Sequence, residues 1–191
     1  MKGKHYIRYC GFFLILILLV VPATTFAFSI TEMGKGEEKL EEAGNLFERG
    51  QFDAANSRLS EAITHFENVL AKDNPGAEDI AEAQENMGYC YWLRHQEDRA
   101  QANFKRAASS YNARQRIIAF LAKQYNKTLN DNKDIRRSFK INRYAVALDP
   151  SLKAEPIAIY TEAAKSWLSQ GRLDMAKAYL DEVIWMDHSQ N

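Results

Sequence analysis

One spacing occurs three times in this chain, and it limits the fold more than any other feature. Ala43, Leu46, Gly50, Phe52, Ala55, Leu59 and Ala62 follow the same intervals as Ala164, Trp167, Gly171, Leu173, Ala176, Leu180 and Val183. Gly88, Tyr91, His95, Glu97, Ala100, Phe104 and Ala107 keep those intervals too, with His95 standing where the other two have glycine. Self-similarity of this kind marks a stack of repeated supersecondary units. The residue types fit two antiparallel helices in close contact. Small side chains let the backbones approach, and the bulky residue between them fills the groove. Glycine permits the left-handed backbone of a sharp turn.

The rest of the chain agrees with helices. From Glu37 onward apolar residues recur at threes and fours, as where Ala55, Leu59, Ala62, Ile63, Phe66, Val69 and Leu70 share one face. Breakers separate these runs at Gly50, Pro75-Gly76, residues 130–134, Pro150 to Pro156 and Gly171. The pattern predicts about eight helices in four hairpins, an all-α protein. It resembles the tetratricopeptide repeat (TPR) family: a small residue and a ring on the first helix, a glycine at the turn, and Ala-x3-large-x2-Ala on the second. The resemblance implies a right-handed superhelix of about four helix–turn–helix pairs, in units at about 35–74, 77–112, 115–150 and 154–188. The third unit departs from the pattern, with Asn126 and Ser138 at small sites and Asn142 at the large apolar one. The first small sites, Ala43, Gly88, Asn126 and Ala164, lie 45, 38 and 38 residues apart. A standard repeat takes about 34, so several helices are expected to run a turn longer.

Residues 1–27 differ from the remainder. Lys2, Lys4 and Arg8 precede the apolar run from Gly11 to Val21, then Pro22 and small residues up to Ala27. That order predicts a secretory signal peptide cleaved after Ala27, or secondarily after Ala23. The apolar run is short of the roughly 20 residues of a spanning helix, so an uncleaved membrane anchor is the lesser alternative. The expected location is the periplasm or the exterior. Cleavage lowers the basic residues by three, from 25 to 22, against 25 acidic ones. Such a balance argues against a nucleic-acid partner. Cys90 then remains as the one thiol, so an exported chain of this kind relies on packing instead of an internal disulfide.

Cys90 lies among Tyr89, Tyr91 and Trp92 and is the natural first suspect for chemistry. A nucleophile needs a base within reach. His95 follows five residues later, about 140° round the helix, and cannot pair with Cys90 on one face. Cys90 is therefore expected to pack as a small hydrophobe. The histidines lack ligand spacing, so neither metal nor cofactor is expected, and no catalytic residue is assigned. The family resemblance implies instead a concave groove for a peptide or helix. Carried over by position, it consists of Phe47, Glu85, Tyr89, Trp92, Lys123, Lys127, Thr161 and Lys165, although Tyr89 and Trp92 are also placed to pack on a neighbouring pair. Leu180, Ile184 and Trp185 lie on the last helix, where a polar capping helix is usual. They are expected to pair with a second copy or another protein. The resulting expectation is a non-catalytic scaffold or assembly factor of the bacterial cell envelope. The alternative is an accessory subunit of an envelope transport system that docks a solute-binding or membrane protein.

Overall fold

The computed structural model describes residues 31–128 and 134–188. The expected signal segment lies outside them. The chain divides into two compact units, one ending at Ala107 and the other beginning at Ala108. The first holds α1 (31–48), α2 (Phe52–Leu70), α3 (Ala77–Leu93) and α4 (Glu97–Ala107). The second holds α5 (Tyr111–Lys127), α6 (Ile135–Leu148), a 3-10 turn (Pro150–Lys153), α7 (Ala154–Ser169) and α8 (Leu173–His188). The protein is all-helical among the described residues, and helices neighbouring in sequence pack in pairs.

Three hairpin turns are built alike, which explains the spacing seen in the sequence. Gly50, His95 and Gly171 all have left-handed backbone, with φ of 73°, 58° and 72°. The N–H of each turn residue donates three residues back, to Phe47, Trp92 and Leu168, at 3.0 Å in every case. The next N–H donates five back, from Gln51 to Leu46, Gln96 to Tyr91 and Arg172 to Trp167, at 2.9, 2.9 and 3.0 Å. This is the paired closure of a Schellman motif, which satisfies carbonyls left over at a helix end. His95 adopts this conformation despite its Cβ, which ordinarily costs an L residue about 1–2 kcal/mol.

The small residues do what their spacing predicts. Ala43, Ala55, Ala62, Ala100, Ala107, Ala164 and Ala176 are all buried. A Cβ placed on Gly88 of α3 would lie 2.4 Å from two ring carbons of Phe104 on α4. Gly36 on α1 stands in the same relation to Phe66 on α2, again at 2.4 Å. Gly88→Ala is accordingly expected to destabilise the fold by about 1–2 kcal/mol. Overpacking against an immobile ring costs about 1–3 kcal/mol, and the gain in helix propensity returns at most about 1. Gly44 has no neighbour within 4 Å of the same position. Gly44→Ala should therefore stabilise by about 0.5–1 kcal/mol. Urea denaturation of the two variants beside the parent reads both signs.

Each unit has its own core. In the first, Met33 and Ala43 from α1, Leu59 and Phe66 from α2, and Met87 and Cys90 from α3 form one cluster. Glu32 adds a polar tie between α1 and α2: its carboxylate meets His65 Nδ1 at 2.8 Å and accepts from Asn68 Nδ2 at 3.2 Å and Lys35 Nζ at 2.9 Å. In the second unit the rings of Phe139, Tyr160 and Tyr179 pack mutually edge to face, with centroids 4.9 to 5.6 Å apart. Such ring pairs add to the area they bury. α5 begins at Tyr111, ahead of the third unit's expected start at 115, because the Ser110 hydroxyl caps it by accepting from the Ala113 N–H. Asp134 caps α6 similarly, through the Arg137 N–H.

Candidate functional site

The residues expected to line a groove are placed very differently from one another. α3 packs on both α2 and α4, and the consecutive residues Ala83, Gln84 and Glu85 are all buried. Glu85 and Trp92 are consequently interior, at 3% and 4% exposure, and do not line an open surface as the sequence suggested. The Tyr89 hydroxyl donates to Glu85 Oε1 at 2.7 Å, and the Tyr89 ring meets Phe104 edge-on with centroids 5.3 Å apart. Phe47 is half-buried, joins the first core and sits 6.0 Å from the Phe52 ring. In the first unit, therefore, Phe47 and Tyr89 keep partial exposure, and both are already engaged.

Cys90 is fully buried, and burial pushes its thiol up to about 12. A thiol held so far above neutral pH is not the thiolate that nucleophilic chemistry requires. His95 belongs to the turn, beyond the end of α3. The aromatic surroundings of Cys90 are core packing.

The second unit presents its residues outward. Lys123 and Lys127 are exposed one turn apart on α5, and neither has an ion-pair partner among the described residues. Lys165 on α7 is also exposed and pairs with Glu162 at 2.6 Å. Thr161 is half-buried, its hydroxyl donating to the Ile157 carbonyl at 2.8 Å.

α5 and α7 both border a cleft of about 240 Å3 that the sequence reading did not foresee. Its walls are largely apolar, with Ile118 from α5, Val146 from α6 and Ile159 from α7. Tyr125, Asn126 and Asn142 contribute polar groups. The Asn142 amide donates to the Tyr160 hydroxyl, which in turn bonds to Tyr125. Burial, the largest cause, together with Tyr125, drives the Tyr160 phenol far above its usual range, so it stays a neutral link in this chain. The one advance sign was Asn142, a polar residue at a position that is large and apolar in the other three hairpins.

At the last helix, Leu180 and Ile184 stand 39% and 56% exposed, joined by Leu173 at 69%. Leu59 and Ile63, at the corresponding places on α2, are buried. Trp185 differs from its neighbours. It is half-buried beneath the Arg143 guanidinium, which lies 4.6 Å from its ring centroid. Arg143 also grips the buried Glu182 with two bonds, Nε to Oε1 at 2.6 Å and Nη2 to Oε2 at 2.7 Å. Arg143 and Glu182 had no visible signal in the sequence, since neither belongs to the repeated pattern.

Comparison with protein-family models, with curated proteins and with solved structures gave no match.

Proposed function

We propose that this protein is a non-catalytic scaffold or assembly factor of the bacterial cell envelope, exported and built as a TPR-like right-handed superhelix of four hairpins. The observation that carries the reading is the repetition of one turn, with one hydrogen-bond set, at Gly50, His95 and Gly171. Hairpins closed alike and packed through buried alanines are the unit from which helical repeat arrays are stacked, and such arrays bind extended partners on their inner surface. The open cations Lys123 and Lys127 fit a partner segment that carries acidic groups. The exposed stripe Leu173, Leu180 and Ile184 fits a second docking face, for another copy or another protein.

The test is co-purification from native envelopes with tagged parent protein and with a Lys123→Glu/Lys127→Glu variant. A defined partner held by the parent and lost by the variant, at unchanged helical content, supports the reading. Equal recovery by both, or recovery of the protein in the cytoplasmic fraction alone, overturns it. A second reading, the transport-accessory subunit, is favoured by the cleft between α5, α6 and α7. Recovery of a permease or a solute-binding protein selects it.

A further inference from the structure

The cleft and the irregular third hairpin have one origin. On the second helix of the other three hairpins, a buried alanine is followed four residues later by Leu59, Phe104 or Leu180. In the third, Ser138 takes the alanine place and Asn142 the large one, while Asn126 stands at the small site of the first helix. Asn126 and Asn142 both line the cleft. Space that Leu59 and Phe104 fill in the first unit is here open and edged with hydrogen-bonding groups.

Those groups have fixed roles. The Asn142 amide nitrogen is committed to Tyr160, and Tyr160 to Tyr125. The relay leaves the Asn142 carbonyl oxygen as an acceptor on the cleft wall, without a protein donor among the described residues. It leaves the Tyr125 hydroxyl proton as a donor on the same wall. The Asn126 side chain makes no hydrogen bond among the described residues and can supply either. Among the described residues no lysine or arginine lines the cleft, whereas Glu155 does, so an anion is poorly served. A donor and an acceptor among the residues lining one largely apolar recess match the C=O and N–H of an uncharged amide. The volume, about 240 Å3, falls below the roughly 300–1,000 Å3 of sites that enclose drug-sized ligands. It suits one amide and a short side group.

We propose that this cleft binds an uncharged amide carrying a short branched aliphatic group. The proposal rests on the reading of the protein as a binding module and names what that module takes. The amide comes either from a free small molecule or from a residue of a partner chain.

The experiment is an NMR titration of the 15N-labelled protein with N-acetyl-leucine amide, with N-acetyl-leucine as the charged control. Saturable shifts are expected at the backbone amides of Asn126, Asn142 and Ala145. The carboxylate control keeps the acetamide but adds a negative charge beside Glu155, and should bind at least about tenfold more weakly. Asn142→Leu, which refills the cleft, should abolish the shifts. Ala122→Phe does the same from an exposed position at the mouth and leaves the tyrosine relay intact, so a loss there is not a loss of fold. Absence of saturable shifts, equal binding of the control, or shifts that survive Ala122→Phe would each overturn the proposal. A blocked pentapeptide with central leucine separates the sources: tighter binding than the single residue assigns a partner chain, and equal binding assigns a small molecule. If envelope partners are captured equally by Ala122→Phe and the parent and no saturable shifts appear, the cleft assignment falls and the scaffold stands. If the shifts appear and no envelope partner is captured, the scaffold falls and the cleft stands.

Discussion

Arg143→Ala is expected to lower stability by about 2–3 kcal/mol. The loss arises less from the missing attraction than from what is left behind. Glu182 is 2% exposed, and among the described residues its carboxylate bonds to Arg143 alone. Removing one partner of a buried pair costs about 3–5 kcal/mol when both charges are interior. The Arg143 side chain is 41% exposed, so water screens part of the effect and the estimate is set lower. The substitution also uncovers Trp185, which supplies a signal by tryptophan fluorescence. Arg143→Lys keeps the charge, loses the two-pronged geometry, and should recover about half of the deficit. Arg143→Met with Glu182→Leu removes both charges and should lie within about 1 kcal/mol of the parent. A double variant as unstable as Arg143→Ala would show that the stranded carboxylate is not the cause.

The second large effect is acid destabilisation through Glu32. Its carboxyl group is lowered from 4.5 to about 2, first by the hydrogen bond from His65 and then by that from Lys35, against an opposing effect of burial. The folded value lies below the unfolded one. The stabilisation is therefore complete above about pH 4.5 and is lost as the pH falls through about 2. A displacement of this size corresponds to about 3 kcal/mol at neutral pH. Glu32→Gln keeps the shape but cannot titrate. The stability gap between parent and variant, read by urea denaturation, should shrink by about 2 kcal/mol between pH 6 and pH 2.5. A gap independent of pH would show that Glu32 acts by shape alone.

What the sequence revealed, and what it withheld, follow from how each feature is encoded. The hairpins were legible because packing two helices closely needs small residues at fixed intervals, and Ala43, Ala100 and Ala176 answer to that need locally. His95 shows the strength of the positional pattern: it departs from the glycine found at the other two turns, and its backbone is left-handed all the same. The interior positions of Glu85 and Trp92 were not legible. Their burial depends on α3 having helices on two sides, which no local pattern states. The Arg143–Glu182 pair joins residues 39 apart on α6 and α8, outside the repeat, and charges at such distances leave no periodic mark. The cleft was half visible. Asn142 stood out as an anomaly, but only the tyrosine relay shows what its amide faces.

The turns at Gly50, His95 and Gly171 have a kinetic consequence. A hairpin whose helices meet across three linking residues closes early and repeatedly, because the chain between the contacts is short. The clasp from Arg143 to Glu182 spans 39 residues and can engage only after both hairpins it joins have formed. It is therefore expected to form on the far side of the folding barrier. Weakening it should speed the unfolding of the finished unit and leave the speed of assembly almost untouched.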